Sequence, residues 1–398
     1  MRKDDKLSMT EQRELIEMSE KKNIPFSQVL AQRGLTYDSL GYVNNPSIGS
    51  DCLLPIQTLD NVEPAKDNIP AVSFFSGAGG LDVGFSYAGF NNIISIEFNE
   101  VFCNTLRKNN PNKLVIGPPY YTGDISKRES IADILRSNGI FSPFNGVFHG
   151  GPPCQSFSVA ANQRFNKDGD NFKRTGFDDE EKGTLIFDYI WMIKTFRPLA
   201  FLIENVEGIA DFDTEGRIQA ALDELVSYGY KITQPQILNA AYYGVPQKRL
   251  RWICVGTRGK KPIVLPAPQK SVTPCGSVFT RSLEGVPNHI TREHTAKSIR
   301  RYMILEYGSR DKLGRVDRLD PRLPSKTVIA GGTKGGGRSH LHPFAPRTLS
   351  VRECARLQTF PDSYEFTGAN ARQFTQVGNA VPPLLAYHLA LSIKEAIL

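Results

Sequence analysis

A cysteine in the segment GGPPCQSFS, from Gly150 to Ser158, has the setting of a nucleophile. The segment directly follows the apolar residues Val147 and Phe148, which predict a short strand. Two prolines fix φ at consecutive positions, so they hold Cys154 in one orientation at the end of that strand. A cysteine attacks as its thiolate, and a rigid loop at the ligand end of a strand suits that use better than a place in the core.

Two further segments carry charged groups that suit the same chemistry. Glu204 ends the apolar run PLAFLIEN, and a carboxyl there is partly desolvated, which raises its pKa and lets it donate a proton. In QKRLR, Arg249 and Arg251 alternate along a predicted strand, so we expect both side chains to line one pocket. The alternative for the arginine pair is the exposed edge of a strand.

A glycine-rich segment, FFSGAGGL, lies between a predicted strand and a predicted helix. Glycines let the backbone approach a ligand closely, and the helix that follows presents its first N–H groups. Glu97 lies about 20 residues further on, where an acidic side chain reaches ribose hydroxyls. Asp124 is a candidate for binding an adenine amino group. For either acid alone a solvated loop residue would be the favoured interpretation, but together with the glycine-rich turn they indicate a nucleotide-type cofactor.

The residues that must position these groups alternate between strand and helix patterns. Strands are predicted in AVSFFS, NNIISIEF, Asn145–Gly150, PLAFLIEN, KITQPQILNA and LRWICVG, and helices in Thr184–Arg197, Ile218–Ser227 and Ala380–Ile397. This alternation is typical of an α/β sandwich with a largely parallel sheet, which binds ligands beyond the carboxyl ends of its strands.

Two stretches outside this alternating pattern differ in composition from the residues within it. Residues 1–40 predict two polar helices, the first capped by Ser8 or Thr10, and residues 41–70 predict an irregular linker. The stretch 256–350 is rich in Gly, Pro and Arg, and predicts a smaller, separate domain. It holds 18 Lys and Arg against 6 Asp and Glu, a net charge of +12, whereas the rest of the chain sums to −5. Such a concentration of positive charge indicates a polyanion partner, most simply nucleic acid, although a solvated basic surface is the alternative.

The composition excludes several classes of protein. The mean hydropathy is −0.30, and no apolar run is long enough to span a bilayer. The first residues lack the apolar core of a signal peptide. The 6 cysteines are scattered without a C-x-x-C pair, which argues against a disulfide framework and against a metal site. We therefore expect a cytoplasmic protein without a metal.

In their order along the chain, these segments resemble the motifs of the cytosine-5 DNA methyltransferases of prokaryotic restriction-modification systems. The similarity covers about residues 69–398 and is carried by PPCQSFS, ENV, QKRLR, RECARLQTFP and GNAVPP. The resemblance implies a Rossmann-like, S-adenosylmethionine-dependent sandwich with a target-recognition domain. It divides the chain into an extension and linker at 1–68, a catalytic domain at 69–257 completed by 376–398, a target-recognition domain at 258–345 and a hinge at 346–375.

The resemblance also implies the roles of single residues. Cys154 would attack carbon 6 of a cytosine flipped out of duplex DNA, Glu204 would bind its ring nitrogen 3 and amine, and Arg249 and Arg251 would hold the base and a phosphate. Ser158, and Thr327 in the Gly-rich TVIAGG loop, would approach the DNA backbone. S-adenosylmethionine would contact Phe75, Ser76, Gly77, Gly80, Glu97, Asp124, Ile125, Pro153, Asn379, Ala380 and Val381. Ser76 stands where the family usually has Ala.

Three alternatives stay open at this stage. A tRNA cytosine-5 methyltransferase shares nearly the same motifs, although the long basic region favours DNA. A non-catalytic DNA-binding protein of the same fold would be expected to lack Cys154, Glu204 or the glycine-rich turn, and a dehydrogenase predicts GxGxxG in place of SGAGG. We expect a monomer that acts on double-stranded DNA beside a cognate restriction endonuclease. The sequence leaves open which arginines read bases, among Arg281, Arg292, Arg310, Arg315, Arg318 and Arg338.

Overall fold

The computed structural model of the chain describes residues 6–54, 58–153, 184–213, 215–330 and 340–398. A seven-stranded sheet forms its centre, in the order β3-β2-β1-β4-β5-β7-β6. The strands are β1 (Ile69–Phe74), β2 (Phe90–Ile96), β3 (Leu114–Ile116), β4 (Val147–Gly150), β5 (Ala200–Val206), β6 (Lys231–Asn239) and β7 (Leu250–Thr257). The first five are parallel, and β7 runs antiparallel to both of its neighbours. The predicted α/β sandwich is confirmed.

Helices cover both faces of the sheet. They are α3 (Gly80–Tyr87), α4 (Glu100–Asn109), α5 (Arg128–Ser137), α6 (Leu185–Phe196), α7 (Ile209–Phe212) and α8 (Arg217–Ser227), after α1 (Met9–Lys22) and α2 (Phe26–Ala31) at the start of the chain. Consecutive residues of β1 show the two-sided burial, because Ala71 packs into one hydrophobic cluster and Val72 into the other. Strands buried on both faces explain the continuous apolar runs in the sequence.

The strand order reverses between β1 and β4, because the chain builds outward from β1 in one direction and from β4 in the other. At such a switch point, the loops that follow the strands on either side run in opposite directions. They leave a crevice between them for a ligand. The predicted site residues Phe75, Glu97, Pro153 and Glu204 all lie at the carboxyl ends of β1, β2, β4 and β5. The sheet therefore gathers them at one edge.

Residues beyond β7 form a smaller, less regular unit. It contains α9 (Ala296–Tyr302) and a three-stranded sheet of β8 (Arg310–Asp311), β9 (Val316–Arg318) and β10 (His340–Leu341). The chain then returns through α10 (Val351–Leu357), α11 (Asn370–Asn379) and α12 (Pro383–Ile397). Helix α12 packs on α3 so closely that a Cβ on Gly84 would lie 2.5 Å from the Cβ of Ala386.

The edge strand β3 and the cap of the first helix compare differently with the sequence-based expectations. The edge strand β3 was not predicted, because its three residues are too few to show a period. Ser8 caps α1 as expected and forms a capping box with Glu11. In the described part of the chain, no helix is long and apolar enough to cross a membrane.

Candidate active site

Glu204 and Arg251 form a buried ion pair at the carboxyl end of β5. Arg251 Nε lies 2.6 Å from Glu204 Oε1, and the two side chains are 11% and 10% exposed. The antiparallel pairing of β5 with β7 brings the arginine beside the acid. Val206 is opposite Arg251 in the register, and Glu204 lies two residues before Val206, on the same face of the strand. Burial raises the pKa of Glu204 above its ordinary value, although Arg251 and Arg249 oppose this rise. The expected direction of this pKa shift is confirmed.

The backbone that leads to Cys154 passes directly over this pair. A Cβ on Gly151 would lie 2.6 Å from Glu204 Oε2, so a larger residue at this position would have to displace the carboxylate. Asn205 Nδ2 donates a hydrogen bond of 3.4 Å to the carbonyl of Pro152. Pro153, half-buried, is the last described residue of this segment. The loop that carries the cysteine therefore begins within contact of the acid.

Several predicted residues lie outside the described part of the chain. They are Cys154 and Ser158 of the PPCQSFS segment, Gly331 and Gly332 of the TVIAGG segment, and Arg338 among the arginines considered for reading bases. Their roles stay predictions based on the sequence.

Arg249 occupies a different environment from Arg251. Its side chain is buried, and it donates hydrogen bonds of 3.1 Å to the carbonyl of Val328 and 2.8 Å to that of Gly378. It therefore joins the TVIAGG segment to the end of α11. These contacts indicate that it positions backbone, whereas binding of base and phosphate by Arg249 stays a prediction.

Thr327 is half-buried, and its hydroxyl donates to the carbonyl of Lys248 at 2.7 Å. The next residue, Val328, donates its N–H to Gln247 Oε1 at 2.9 Å. We call the described residues 327–330 the recognition loop. Both contacts tie this loop to the QKRLR segment. The structure thus brings the two motifs together, and the contact of Thr327 with DNA stays a prediction.

Glu97 organises the predicted cofactor site. Its Oε2 accepts a hydrogen bond of 2.8 Å from Gly77 N, and its Oε1 accepts one of 2.7 Å from Asn99 N. Burial raises the pKa of Glu97, and these backbone donors counteract it. Gly77 has a φ of 56°, a left-handed conformation that favours glycine. The carboxylate thus reaches from β2 to the turn after β1.

Phe75 and Ser76 begin this turn. Phe75 is half-buried with a φ of 51°, and its ring packs edge-on against Tyr189. The hydroxyl of Ser76 donates to Ser73 Oγ at 2.8 Å, and Ser73 in turn donates to the carboxylate of Asp82 at 2.9 Å. Ser76 therefore extends a buried polar network, which explains how the site accommodates a hydroxyl where the family usually has Ala.

The start of α3 packs tightly against the segment that precedes α12. A Cβ on Gly80 would lie only 2.3 Å from the carbonyl oxygen of Val381. Ala380 and Val381 are buried and Asn379 is exposed. The glycine-rich turn and the GNAVPP motif, about 300 residues apart in sequence, are therefore in contact, as a common cofactor site requires.

Asp124 and Ile125 lie on a loop that packs against the backbone of Glu97, because a Cβ on Gly123 would lie 2.1 Å from the Glu97 carbonyl oxygen. Asp124 is half-buried, and its Oδ1 accepts hydrogen bonds from the N–H and hydroxyl of Ser126 at 3.1 and 2.7 Å. The Ile125 side chain is 3% exposed and belongs to the core. Contact of Asp124 and Ile125 with the cofactor stays a prediction, and the burial of the Ile125 side chain leaves its backbone as the accessible part.

The family model for C-5 cytosine-specific DNA methylases matches residues 69–395 of this chain. The chain belongs to this family. It is 31% identical over 365 residues to the Type II methyltransferase M.PspPI of a Psychrobacter species, a match that covers 85% of this chain and 80% of that protein. It is 33% identical over 362 residues to the Type II methyltransferase M.MthTI of Methanothermobacter thermautotrophicus, covering 82% and 98%.

Solved structures share the fold of this chain. A protein assigned as a DNA modification methyltransferase of an Escherichia coli prophage aligns with a TM-score of 0.66 at 23% identity, over 83% of this chain and 99% of that one. The S. pombe Dnmt2 methyltransferase aligns with a TM-score of 0.52 at 18% identity, over 82% and 99%. At these identities the likeness shows the fold alone. The chain is a DNA (cytosine-5-)-methyltransferase with S-adenosylmethionine as its methyl donor.

An exposed aromatic residue of this methyltransferase was not predicted from the sequence. Phe98 directly follows Glu97, and its side chain is 67% exposed. An exposed ring beside a carboxylate that suits ribose hydroxyls offers a flat surface for an adenine base. Its position, an aromatic residue immediately after the acid that ends β2, was the available signal.

Proposed function

We propose that the enzyme flips a cytosine out of duplex DNA and attacks carbon 6 of its ring with the Cys154 thiolate. Bound S-adenosylmethionine supplies an electrophilic methyl group. The sulfur–carbon 6 bond makes carbon 5 nucleophilic, and carbon 5 takes the methyl group as the methyl–sulfonium bond breaks and the neutral thioether S-adenosylhomocysteine leaves. A base removes the carbon 5 proton, the carbon–sulfur bond breaks, and the thiolate leaves. The target carbon cannot be reached inside a duplex, which is why the base must leave the stack.

We assign to Glu204 the proton at ring nitrogen 3. A carboxyl whose pKa is raised keeps its proton at higher pH, so it can donate to nitrogen 3 as the thiolate adds to carbon 6. The observation that supports this proposal most directly is the approach of Gly151 to the Glu204 carboxylate, because it starts the Cys154 loop at the acid. Arg251, paired with the same carboxylate, orients it toward the base.

We assign the cofactor contacts to three neighbouring loops. Glu97 binds the ribose hydroxyls, Asp124 the adenine amino group, and Phe98 the face of the adenine. The close packing of Gly80 on Val381 and the left-handed turn at Gly77 form a narrow backbone cradle, and such a cradle suits a cofactor held partly by main-chain groups.

Methyl transfer from labelled S-adenosylmethionine tests the proposal. Unmethylated duplex DNA and tRNA are offered as separate substrates, and Cys154→Ser is the matched variant. We expect label at carbon 5 of cytosine in DNA only, abolished by the substitution. Label in tRNA only would contradict the substrate assignment, and label in DNA with Cys154→Ser would contradict the nucleophile. Sequencing of the modified DNA would give the recognition sequence.

We also propose a biological setting from the relatives. Type II methyltransferases such as M.Eco47II of Escherichia coli, 28% identical over 383 residues, belong by name to restriction-modification systems. A cognate restriction endonuclease and work on the nucleoid of a bacterial cytoplasm follow as proposals. We further propose that the enzyme acts as a monomer, because the motifs of one chain supply every role assigned above.

A further inference from the structure

The first helices of the chain share a hydrophobic core with the predicted target-recognition region. Leu15 of α1 and Phe26 of α2 are buried in the same cluster as Ile299 of α9, Val316 of β9 and Leu341 of β10. The family match begins only at residue 69, so these helices lie outside the part that the family shares. Nevertheless, they are packed into the second unit as part of its core.

A buried arginine joins the same two parts of the chain. Arg318 is fully buried, and it donates hydrogen bonds to the carbonyl of Asn44 at 2.8 Å and to Asn45 Oδ1 at 2.9 Å. Its guanidinium also lies 3.5 Å from the centre of the Tyr42 ring. These contacts hold a charge that burial would otherwise disfavour. They also exclude Arg318 from the arginines that read DNA bases.

A second buried arginine connects the N-terminal segment to α10. Arg347 Nε donates to Asp38 Oδ1 at 2.7 Å, and its other two nitrogens donate to both carboxylate oxygens of Glu353 at 2.8 and 2.7 Å. Arg347 and Glu353 are almost fully buried. Charge-assisted, bidentate hydrogen bonds in such a setting fix the geometry of both partners.

Helix α10 carries this connection to the recognition loop. Glu353 belongs to its first turn, and Gln358 follows its last residue. Gln358 Oε1 accepts a hydrogen bond of 3.0 Å from Gln247 Nε2, and Gln247 Oε1 accepts the N–H of Val328 at 2.9 Å. Continuous contacts thus run from Asp38, through Arg347 and α10, to the loop predicted to meet DNA.

The charge of the N-terminal segment argues against a DNA-binding arm. Residues 6–45 hold 5 Lys and Arg against 5 Asp and Glu, a net charge of zero. Part of the positive charge is also paired, since Lys21 lies 3.4 Å from Glu17 on the surface of α1. Phosphate binding requires an excess of positive charge, and this segment has none.

We infer that residues 6–45, which we call the N-terminal brace, position the recognition loop for DNA without contacting DNA themselves. This inference rests on the proposed function, in which that loop meets the DNA. Asp38 acts in it as a positioning residue through Arg347. The brace therefore belongs to the target-recognition unit, although it lies before the catalytic domain in sequence.

Steady-state kinetics of the full-length enzyme test the brace. Asp38→Ala removes one partner of Arg347, and we expect about a tenfold rise in KM for duplex DNA, as for the loss of one charge-assisted hydrogen bond. The KM for S-adenosylmethionine and kcat should stay within about twofold, because the catalytic domain is untouched. Asp38→Asn keeps an acceptor for Arg347 and should restore part of the KM. Glu14→Gln, on the exposed face of α1, is the matched control.

A loss of folded enzyme alone would lower kcat and leave KM for DNA unchanged, which would contradict the inference. Tyr42→Phe provides a milder second variant, because it removes only the hydroxyl bonds to the carbonyls of His342 and Ala345. It should raise the KM for DNA in the same selective way. An unchanged KM for DNA in both variants would overturn the inference that the brace positions the recognition loop. Failure of the proposed function is distinct, because the wild-type enzyme itself would then methylate no duplex.

The salt dependence of DNA binding distinguishes a segment that only positions the recognition loop from one that binds DNA directly. Removal of one phosphate-binding side chain should reduce by about 0.9 the slope of the logarithm of the association constant for DNA against the logarithm of the salt concentration. We expect the same slope for the wild type, for Asp38→Ala and for a double variant of Lys21→Gln and Lys22→Gln. A shallower slope in the lysine double variant would show direct phosphate binding and would overturn the inference.

Discussion

Arg251 Nε lies 2.6 Å from Glu204 Oε1, and this buried contact opposes the effect of burial on the proton affinity of the acid assigned to ring nitrogen 3. Burial raises the pKa of Glu204 and the arginine opposes that rise. The charged form of the acid is therefore disfavoured by desolvation and favoured by its partner. The two effects lead to a prediction for the acid itself and to one for its pH dependence.

Substitution of Glu204 by Gln removes the proton donor but keeps the shape of the side chain. We expect kcat for methyl transfer to fall about 100- to 1000-fold, the range found when one group that stabilises a transition state is removed. The dissociation constant for S-adenosylmethionine should not change. A variant with kcat near that of the wild type would show that another group protonates the ring.

The pH dependence follows from the direction of the Glu204 pKa. Only the protonated acid can donate, so kcat should fall as the pH rises through that pKa. Arg251→Gln removes the charge that lowers the pKa, so the pKa rises further and this fall should move to higher pH, with a lower maximum rate. Profiles of kcat against pH for the two proteins measure the shift. A move of the fall to lower pH would contradict the assignment.

The contact between Gly80 and Val381 predicts that a single methyl group disrupts the cofactor site. In Gly80→Ala the new Cβ would lie 2.3 Å from a backbone oxygen, which cannot move without moving the GNAVPP segment. We expect weaker binding of S-adenosylmethionine and a loss of roughly 1–3 kcal/mol in the free energy of unfolding. Gly41→Ala, whose nearest atoms lie at 3.8 Å, is the matched control. Calorimetric titration and thermal unfolding compare the two variants.

Phe98 offers a test of cofactor recognition that is separate from stability. Because its ring is 67% exposed, Phe98→Ala should leave the free energy of unfolding almost unchanged. We expect about a tenfold higher dissociation constant for S-adenosylmethionine, as for the loss of an aromatic stacking partner. Phe98→Tyr should bind like the wild type. An unchanged affinity of the alanine variant for S-adenosylmethionine would contradict a role of Phe98 in cofactor binding.

The two buried amides at Gln247 and Gln358 predict energetic coupling between distant motifs. Both side chains are fully buried, and they hydrogen-bond to each other at 3.0 Å. In a double-mutant cycle with Gln247→Ala and Gln358→Ala, we expect a coupling of about 0.5–3 kcal/mol in kcat/KM for DNA. Strictly additive effects would contradict the role of this contact in holding the recognition loop.

Much of the sheet was predictable because strands buried on both faces produce apolar runs that local pattern reveals. The strand ends that carry Glu97 and Glu204 were placed correctly for this reason. The edge strand β3 is only three residues long, too short for such a pattern.

The contacts that join the motifs could not be predicted from the sequence. Asp38 and Arg347 are 309 residues apart, and neither has a local pattern that predicts the other. The same holds for Arg249, whose basic side chain suggested DNA but is buried against two backbone carbonyls. Residue type indicated the chemistry, whereas tertiary packing decided which groups each charge meets.

Covalent trapping at Cys154 tests the central claim most directly. A duplex that carries fluorine in place of hydrogen at carbon 5 of the target cytosine allows addition and methylation but blocks the final elimination, because fluorine cannot leave as a proton does. After incubation with S-adenosylmethionine, we predict a stable adduct whose mass equals enzyme plus DNA plus one methyl group, located at Cys154 by peptide mapping. An adduct at another residue, or full turnover of the fluorinated duplex without an adduct, would contradict the account.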